Sequence, residues 1–230
     1  MSIMKLSLII RMTGGLIFIP TALGLLLFLP AGRLNWLEAW IYIASYLIFL
    51  MIYAVWAITN DPELLKERSQ VASNTKGWDK LILSVYTILL LCLFILIGLD
   101  AERFHWSSLP VVLKLMGWLG LIFAAWLIFW AIRTNTYASR VARIQDDRGQ
   151  TIIRSGPYQF VRHPMYAGII VLFLCTPPAL GSFWGLIPAM VIGILFFIRT
   201  RLEDQMLRKE LSGYEDYTKH VQYRLMPGIW

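Results

Sequence analysis

The sequence predicts an all-α integral membrane protein of about six transmembrane helices, the last two a short hairpin, followed by a cytoplasmic C-terminal helical segment. Three observations carry this. Hydrophobic residues make up 58% of the 230 and charged ones 15%, against roughly 45–50% and about 25% in a soluble domain. One water-facing core of this size cannot hide so much apolar surface, and the mean hydropathy of +0.62 says the same. Four runs have the length needed to cross a hydrocarbon core roughly 30 Å thick. Lastly, the basic residues segregate between loops. The composition excludes disorder, collagen and coiled coil. Cys92 and Cys175 both lie inside apolar runs, which argues against a disulfide framework or a cysteine-ligated zinc site.

The first run, residues 12–29, follows Lys5 and Arg11 and so resembles a signal peptide. It is too long for the apolar part of one, and no small-x-small cleavage site follows, so it reads as a retained anchor. Runs 36–58, 81–99 and 115–132 come next, with Trp36, Trp40, Trp78 and Trp106 near run ends as interfacial anchors. Residues 165–198 form a fifth uncharged run, about 51 Å long as one helix at 1.5 Å per residue. Its middle, Thr176-Pro177-Pro178-Ala179-Leu180-Gly181-Ser182, is expected to break it into a hairpin. With six crossings, all but Arg33, Arg103 and Lys114 of the 21 Lys and Arg fall on one side. A single long fifth helix would carry the tail's basic residues across. The positive-inside rule therefore favours six crossings with both termini cytoplasmic. The net charge of +7 is then topology, and nucleic acid is not an expected partner. No repeat or low-complexity linker divides the chain, so one domain is expected over 1–230: four helices in 1–132 and a functional part in 133–230, with the hairpin at 165–198.

Arg11, Glu38 and Lys114 lie near helix ends and can snorkel. No acid, lysine or histidine sits at mid-membrane, which argues against a proton- or ion-coupled transporter and moves any activity to the cytoplasmic rim. On that rim, Gly156-Pro157 makes a turn before Tyr158, and His163-Pro164 opens a helix, with Pro favoured at the first helical position. Arg162 and His163 then stand at a helix N-terminus that suits an anionic group. Gly168, one turn in, would let a ligand approach the backbone. The same spacing also fits a capped interfacial helix. In the tail, Arg199 is four residues before Glu203, and Glu203, Leu207 and Glu210 share a helical face. Tyr214 and Tyr217 share another. That pattern fits a juxtamembrane helix with surface ion pairs, or a carboxylate at Glu203 facing the same cavity as His163.

The order Gly156-Pro157-Tyr158, Arg162-His163-Pro164-x-Tyr166-x-Gly168, an apolar hairpin, the acidic pair Glu203-Asp204 and Gly213-Tyr214-x-x-Tyr217 resembles the isoprenylcysteine carboxyl methyltransferase superfamily. Its members include integral-membrane methyltransferases acting on prenyl-cysteine carboxylates, phospholipid amines and small thiols. The motif resemblance covers 152–230; the first two-thirds matches in hydropathy and helix count. The resemblance implies that S-adenosyl-L-methionine binds between the hairpin base and the C-terminal helix. The residues it assigns to the cofactor are Tyr158, Arg162, His163, Tyr166, Gly168, Glu203, Asp204, Tyr214 and Tyr217. Asp204 stands where the family has a second Glu, a shorter reach. Arg224, where relatives also have Arg, and Asn135 are the candidates on the catalytic side. Asn135 lies in Thr134-Asn135-Thr136-Tyr137, which lacks a His found in the prenyl-cysteine enzymes, and it fits a helix C-terminal cap equally well.

The acceptor implied is a membrane lipid or small hydrophobic molecule bearing a carboxylate or thiol. An amine, as in phospholipid N-methylation, would need a proton acceptor, for which His163 or Glu203 is available. The alternative is an NADPH-dependent sterol-type reductase with a related Arg-His-x-Asn-Tyr-x-Gly segment; the Pro164-Met165-Tyr166 version favours methyl transfer. A membrane scaffold without catalysis is the third reading.

Overall fold

The computed structural model describes residues 3–69 and 75–230, with side chains for 14–68 and 75–230. All regular structure among them is helical: α1 (Ile3–Ala31), α2 (Leu37–Asn60), α3 (Pro62–Ser69), α4 (Gly77–Gly98), α5 (Val111–Thr134), α6 (Pro164–Ala179), α7 (Leu186–Glu210) and α8 (Tyr214–His220). Helices α1, α2, α4 and α5 are long and apolar enough to cross a membrane, and they contain the four expected runs apart from Trp36 and Leu99. A π-helical turn, Leu99–Arg103, extends α4.

Side-chain contacts sort the loops onto two ends. At one end, Lys114 pairs with Glu38 at 3.0 Å and Arg33 with Glu102 at 3.1 Å. Glu38 and Lys114, expected to snorkel separately, thus neutralise each other. The snorkelling expected of Arg11 falls outside the described side chains. Asp100, fully buried, accepts hydrogen bonds there from Ser107 and Ser182 and from the Trp184 backbone. At the other end of α4, fully buried Asp79 accepts from Arg199 at 2.7 and 3.1 Å. Nearby, Arg143 pairs with Glu67, and Lys76 with Glu210, each at 2.8 Å.

The break in the fifth run falls within the expected stretch, 176–182. Helix α6 runs through both Pro177 and Pro178. Proline forfeits a helical N–H bond, yet the helix tolerates two in its last turn. It ends one step later, where Gly181 is left-handed (φ +84°) and the Ser182 and Gly181 amides bond back to the Pro177 and Pro178 carbonyls. That reverse turn needs a residue without Cβ at the left-handed position, so Gly181 rather than the proline pair stops the helix.

Helices α5 and α6 meet along a seam of small residues. A Cβ at Gly117 would lie 2.5 Å from the Ala179 backbone nitrogen, so only glycine permits this approach. Close backbone approach through small residues is how helices pack where lipid offers no competing hydrophobic force. Gly117→Ala should therefore lower the apparent melting temperature of the purified protein by several degrees, the effect of about 1–3 kcal/mol of overpacking. Gly193→Ala, whose added methyl would meet Ile170 at 3.7 Å, should leave it unchanged.

Candidate active site

The polar rim is assembled around one carboxylate. Asp204, beyond the apolar part of α7, is fully buried. Its Oδ1 accepts from Arg162 Nε at 2.7 Å and from the Tyr214 hydroxyl at 3.2 Å. Its Oδ2 accepts from Arg162 Nη2 at 3.1 Å and Arg224 Nε at 2.9 Å. Burial alone would raise its pKa, but the neighbouring His163 and Arg162 outweigh that and hold it well below the usual carboxylate range. Arg162 Nη1 donates to the Val221 and Gln222 carbonyls at 2.7 and 2.8 Å. The Arg162 and His163 amides donate to the Tyr223 and Arg224 carbonyls at 3.0 and 2.8 Å. The tail is thereby strapped across the start of α6.

Beside the strap lies a cavity of about 90 Å³ that opens to solvent. Asn135, Tyr158, His163, Tyr166, Glu203, Tyr214 and Tyr217 line it, together with Tyr137, Ser139 and residues 150–153 of the preceding loop. His163 is the residue before α6, with Pro164 opening the helix as the sequence predicts. Its Nε2 is buried without a hydrogen-bond partner among the described residues and lies 3.5 Å from Asp204 Oδ1. Tyr166, one turn on, stacks parallel to the His163 ring with centroids 5.9 Å apart. Its hydroxyl donates to Glu203 Oε2 at 2.5 Å. The Tyr217 hydroxyl donates to the Tyr158 carbonyl at 2.5 Å, and burial pushes the Tyr158 phenol up to about 12.

The cavity brings together most of the residues singled out in the sequence and reassigns four. Gly168 lies outside it and faces α5, where a Cβ would meet Ile128 at 2.7 Å, so the space there serves helix packing. Asp204 is enclosed by protein donors behind the wall. Arg224 is likewise outside; it pairs with Asp204 and covers the Trp230 ring at 4.8 Å. Arg162 borders the cavity, but its guanidinium donates to protein acceptors instead of awaiting an anion. Asn135 Oδ1 accepts from the Tyr137 amide at 2.9 Å while the residue borders the cavity, so it closes the turn after α5 and meets the site at once.

Two positioning residues were not visible in the sequence. Arg199 does not pair with Glu203 one turn on. It bonds to Asp79 and, at 2.8 Å, to the Arg140 carbonyl, which holds its guanidinium 5.0 Å over the Tyr166 ring. The sequence offered one clue, an Asp in the first turn of a membrane helix whose one other charge is Lys80. Nothing in the pattern names its partner.

Residues 112–212 match the phospholipid methyltransferase family. The match covers fewer than half of the chain's residues. The matched stretch runs from the start of α5 to the end of α7 and so includes Asn135, Tyr158, His163, Tyr166 and Glu203 of the cavity wall. A comparison with curated proteins gives no match. The family implies membrane methyl transfer, the activity class to which the sequence motifs point.

Because Asp204's carboxyl is depressed in the folded protein, its stabilising contribution is complete above the unfolded value near 4 and is lost only as pH falls below it. Asp204→Asn should cost about 3–5 kcal/mol, the penalty for stranding buried arginines. In thermal unfolding the deficit should be the same at pH 7 and pH 5; a deficit that shrinks by pH 5 would contradict the depressed carboxyl.

Proposed function

We propose that the protein is an S-adenosylmethionine-dependent methyltransferase acting at the cytoplasmic membrane face on a lipidic or small hydrophobic acceptor. The observation that carries this reading is the meeting of His163, Tyr166 and Glu203, from the two motif-bearing segments, at one open cavity inside the family segment.

The residues present suit the cofactor. Glu203 Oε2 is engaged by Tyr166, which orients the carboxylate and leaves Oε1 without a protein partner among the described residues. That oxygen can accept from ribose hydroxyls or from an amino group. The buried His163 Nε2, 3.5 Å from Asp204 Oδ1 and without a hydrogen bond among the described residues, is a second polar group at the wall. Tyrosine faces on the wall stabilise a cation through their electron-rich surfaces. Bound there, S-adenosylmethionine supplies a methyl group already activated on a sulfonium. The protein's own part is to hold the partners in line and to keep water out beneath the tail strap. A carboxylate or thiolate acceptor requires no strong base, which suits a site built from one oriented carboxylate and phenols.

The same reading includes six crossings. The α6–α7 turn touches Asp100 at one end of α4, and Arg199 touches Asp79 at the other. These contacts support α6 and α7 traversing the thickness that α4 does, as a helical hairpin within one domain over 1–230. Both termini then lie on the basic, cytoplasmic side, with the cofactor entering from the aqueous face and a lipidic acceptor from the inner leaflet.

Isothermal titration with S-adenosylhomocysteine tests the proposal, and absence of binding at millimolar ligand to folded protein would remove it. Glu203→Ala should weaken binding at least tenfold. Glu210→Ala, which removes a half-exposed pair with Lys76, should change it less than twofold, since surface pairs are worth about 0–1 kcal/mol. Equal effects would return Glu203 to the role of a surface ion-pair residue.

A further inference from the structure

Outside the cavity, a groove of about 350 Å³ runs between α2 and α5, floored by Leu172 of α6. Tyr42 to Ile52 line it along α2, about 15 Å at 1.5 Å per residue, and Trp118 to Ile128 line it along α5. The two helices touch at its lower end through Trp56 and Phe129, ring centroids 5.8 Å apart. Toward the charged end, Phe49, Ile128 and Leu172 of the groove join one apolar cluster with Ala138 and Met165. Those last two residues also line the candidate active site. Groove and cavity are thus neighbours across a thin partition.

Arg68 stands at that partition. Its Nη1 donates to the Ala138 carbonyl at 2.6 Å and lies 3.9 Å from Met165 Sδ. Its guanidinium sits 5.9 Å from the Tyr53 ring. It is within electrostatic reach of Tyr166 and Tyr158 on the cavity side, and of Tyr46 on the groove side. The buried or largely buried guanidinium groups of Arg143, Arg162 and Arg199 each have a carboxylate, namely Glu67, Asp204 and Asp79. Arg68 has none among the described residues, and its Nε is buried without a hydrogen-bond partner. Arg140, the second cation within reach of Tyr46 and Tyr53, is exposed and solvated. Arg68 is half-buried, and a guanidinium drawn partly out of water without a counter-charge is unfavourable unless an anion supplies it.

We propose that Arg68 and the α2–α5 groove bind an anionic amphiphile with a single hydrocarbon chain, the chain lying in the groove and the anionic group meeting Arg68 where the groove abuts the cavity. A cationic or neutral head would leave Arg68 uncompensated, so charge complementarity selects the anion. A hydrocarbon chain suits a slot whose walls are almost wholly apolar. That this amphiphile is the methyl acceptor rests on the methyltransferase reading; the binding site itself does not.

Trp118 in the groove wall provides the test. The full-length protein in phosphatidylcholine nanodiscs is titrated with 9,10-dibromostearate, whose bromines quench nearby tryptophan, and with the corresponding brominated alcohol and amine. The fraction of quenching that disappears in Trp118→Phe reports the groove. The anion should produce it at a concentration at least tenfold lower than the alcohol or amine. Arg68→Gln should abolish that preference, and Ala125→Trp, which fills the slot, should abolish groove quenching by all three. Equal potency of anion, alcohol and amine, or an anion preference that survives Arg68→Gln, would overturn the proposal. So would equally strong groove quenching by brominated phosphatidylcholine, which would make the groove an ordinary lipid-facing surface. S-adenosylhomocysteine titration of the same variants separates the two claims. If the wild type fails to bind it while Arg68-dependent quenching persists, the methyltransferase reading falls and the amphiphile site stands. If it binds normally and no anion preference appears, the amphiphile site falls alone.

Discussion

The rim of this protein depends on the desolvated carboxylate of Asp204. A buried charge is tolerated only when its hydrogen-bonding capacity is filled, and here Arg162, Arg224 and Tyr214 fill it from three separate segments. Each donor brings its own stretch of chain: the entry to α6, the C-terminal strap and the start of α8. The ion pair is therefore a clasp that holds the tail against the start of α6, and Tyr214 and Tyr217 of that tail line the cavity. Glu203, the adjacent residue, lines that cavity because its neighbour is locked.

A second buried pair sets the interior of the site. Asp79 on α4 fixes Arg199 on α7, and the guanidinium then lies over Tyr166, whose hydroxyl orients Glu203. A membrane helix far from the motifs in sequence thus determines where the cavity's carboxylate points. At the opposite end of α4, Asp100 gathers Ser107, Ser182 and Trp184 and pins the turn between α6 and α7. Acids at both ends of one helix hold α7 along its length.

Much of this was legible in the residues. Hydropathy located the four long spans, because apolar length is a direct consequence of bilayer thickness. Gly156-Pro157, His163-Pro164 and the tail's Glu203 and Tyr214 announced the parts of the cavity, since turn chemistry and helix starts are local properties. What was hidden depends on contacts between distant segments. Asp204 read as a ligand group because a sequence shows that an acid is present, not that Arg162 and Arg224 surround it. Gly168 read as room for a ligand when the room is taken by Ile128 of α5. The stretch from Thr176 to Ser182 read as a break and contains it, with the reverse turn at Gly181 rather than the proline pair deciding where the helix stops. Arg199 sits at the right spacing for Glu203, and a better-buried partner on another helix takes it.

A structure determined with S-adenosylhomocysteine present tests the central claim most directly. The account predicts the ligand beneath the tail strap, in contact with Glu203 and His163, with the Asp204 clasp intact. Ligand bound elsewhere in the fold, or bound only after Arg162 and Arg224 have left Asp204, would contradict it.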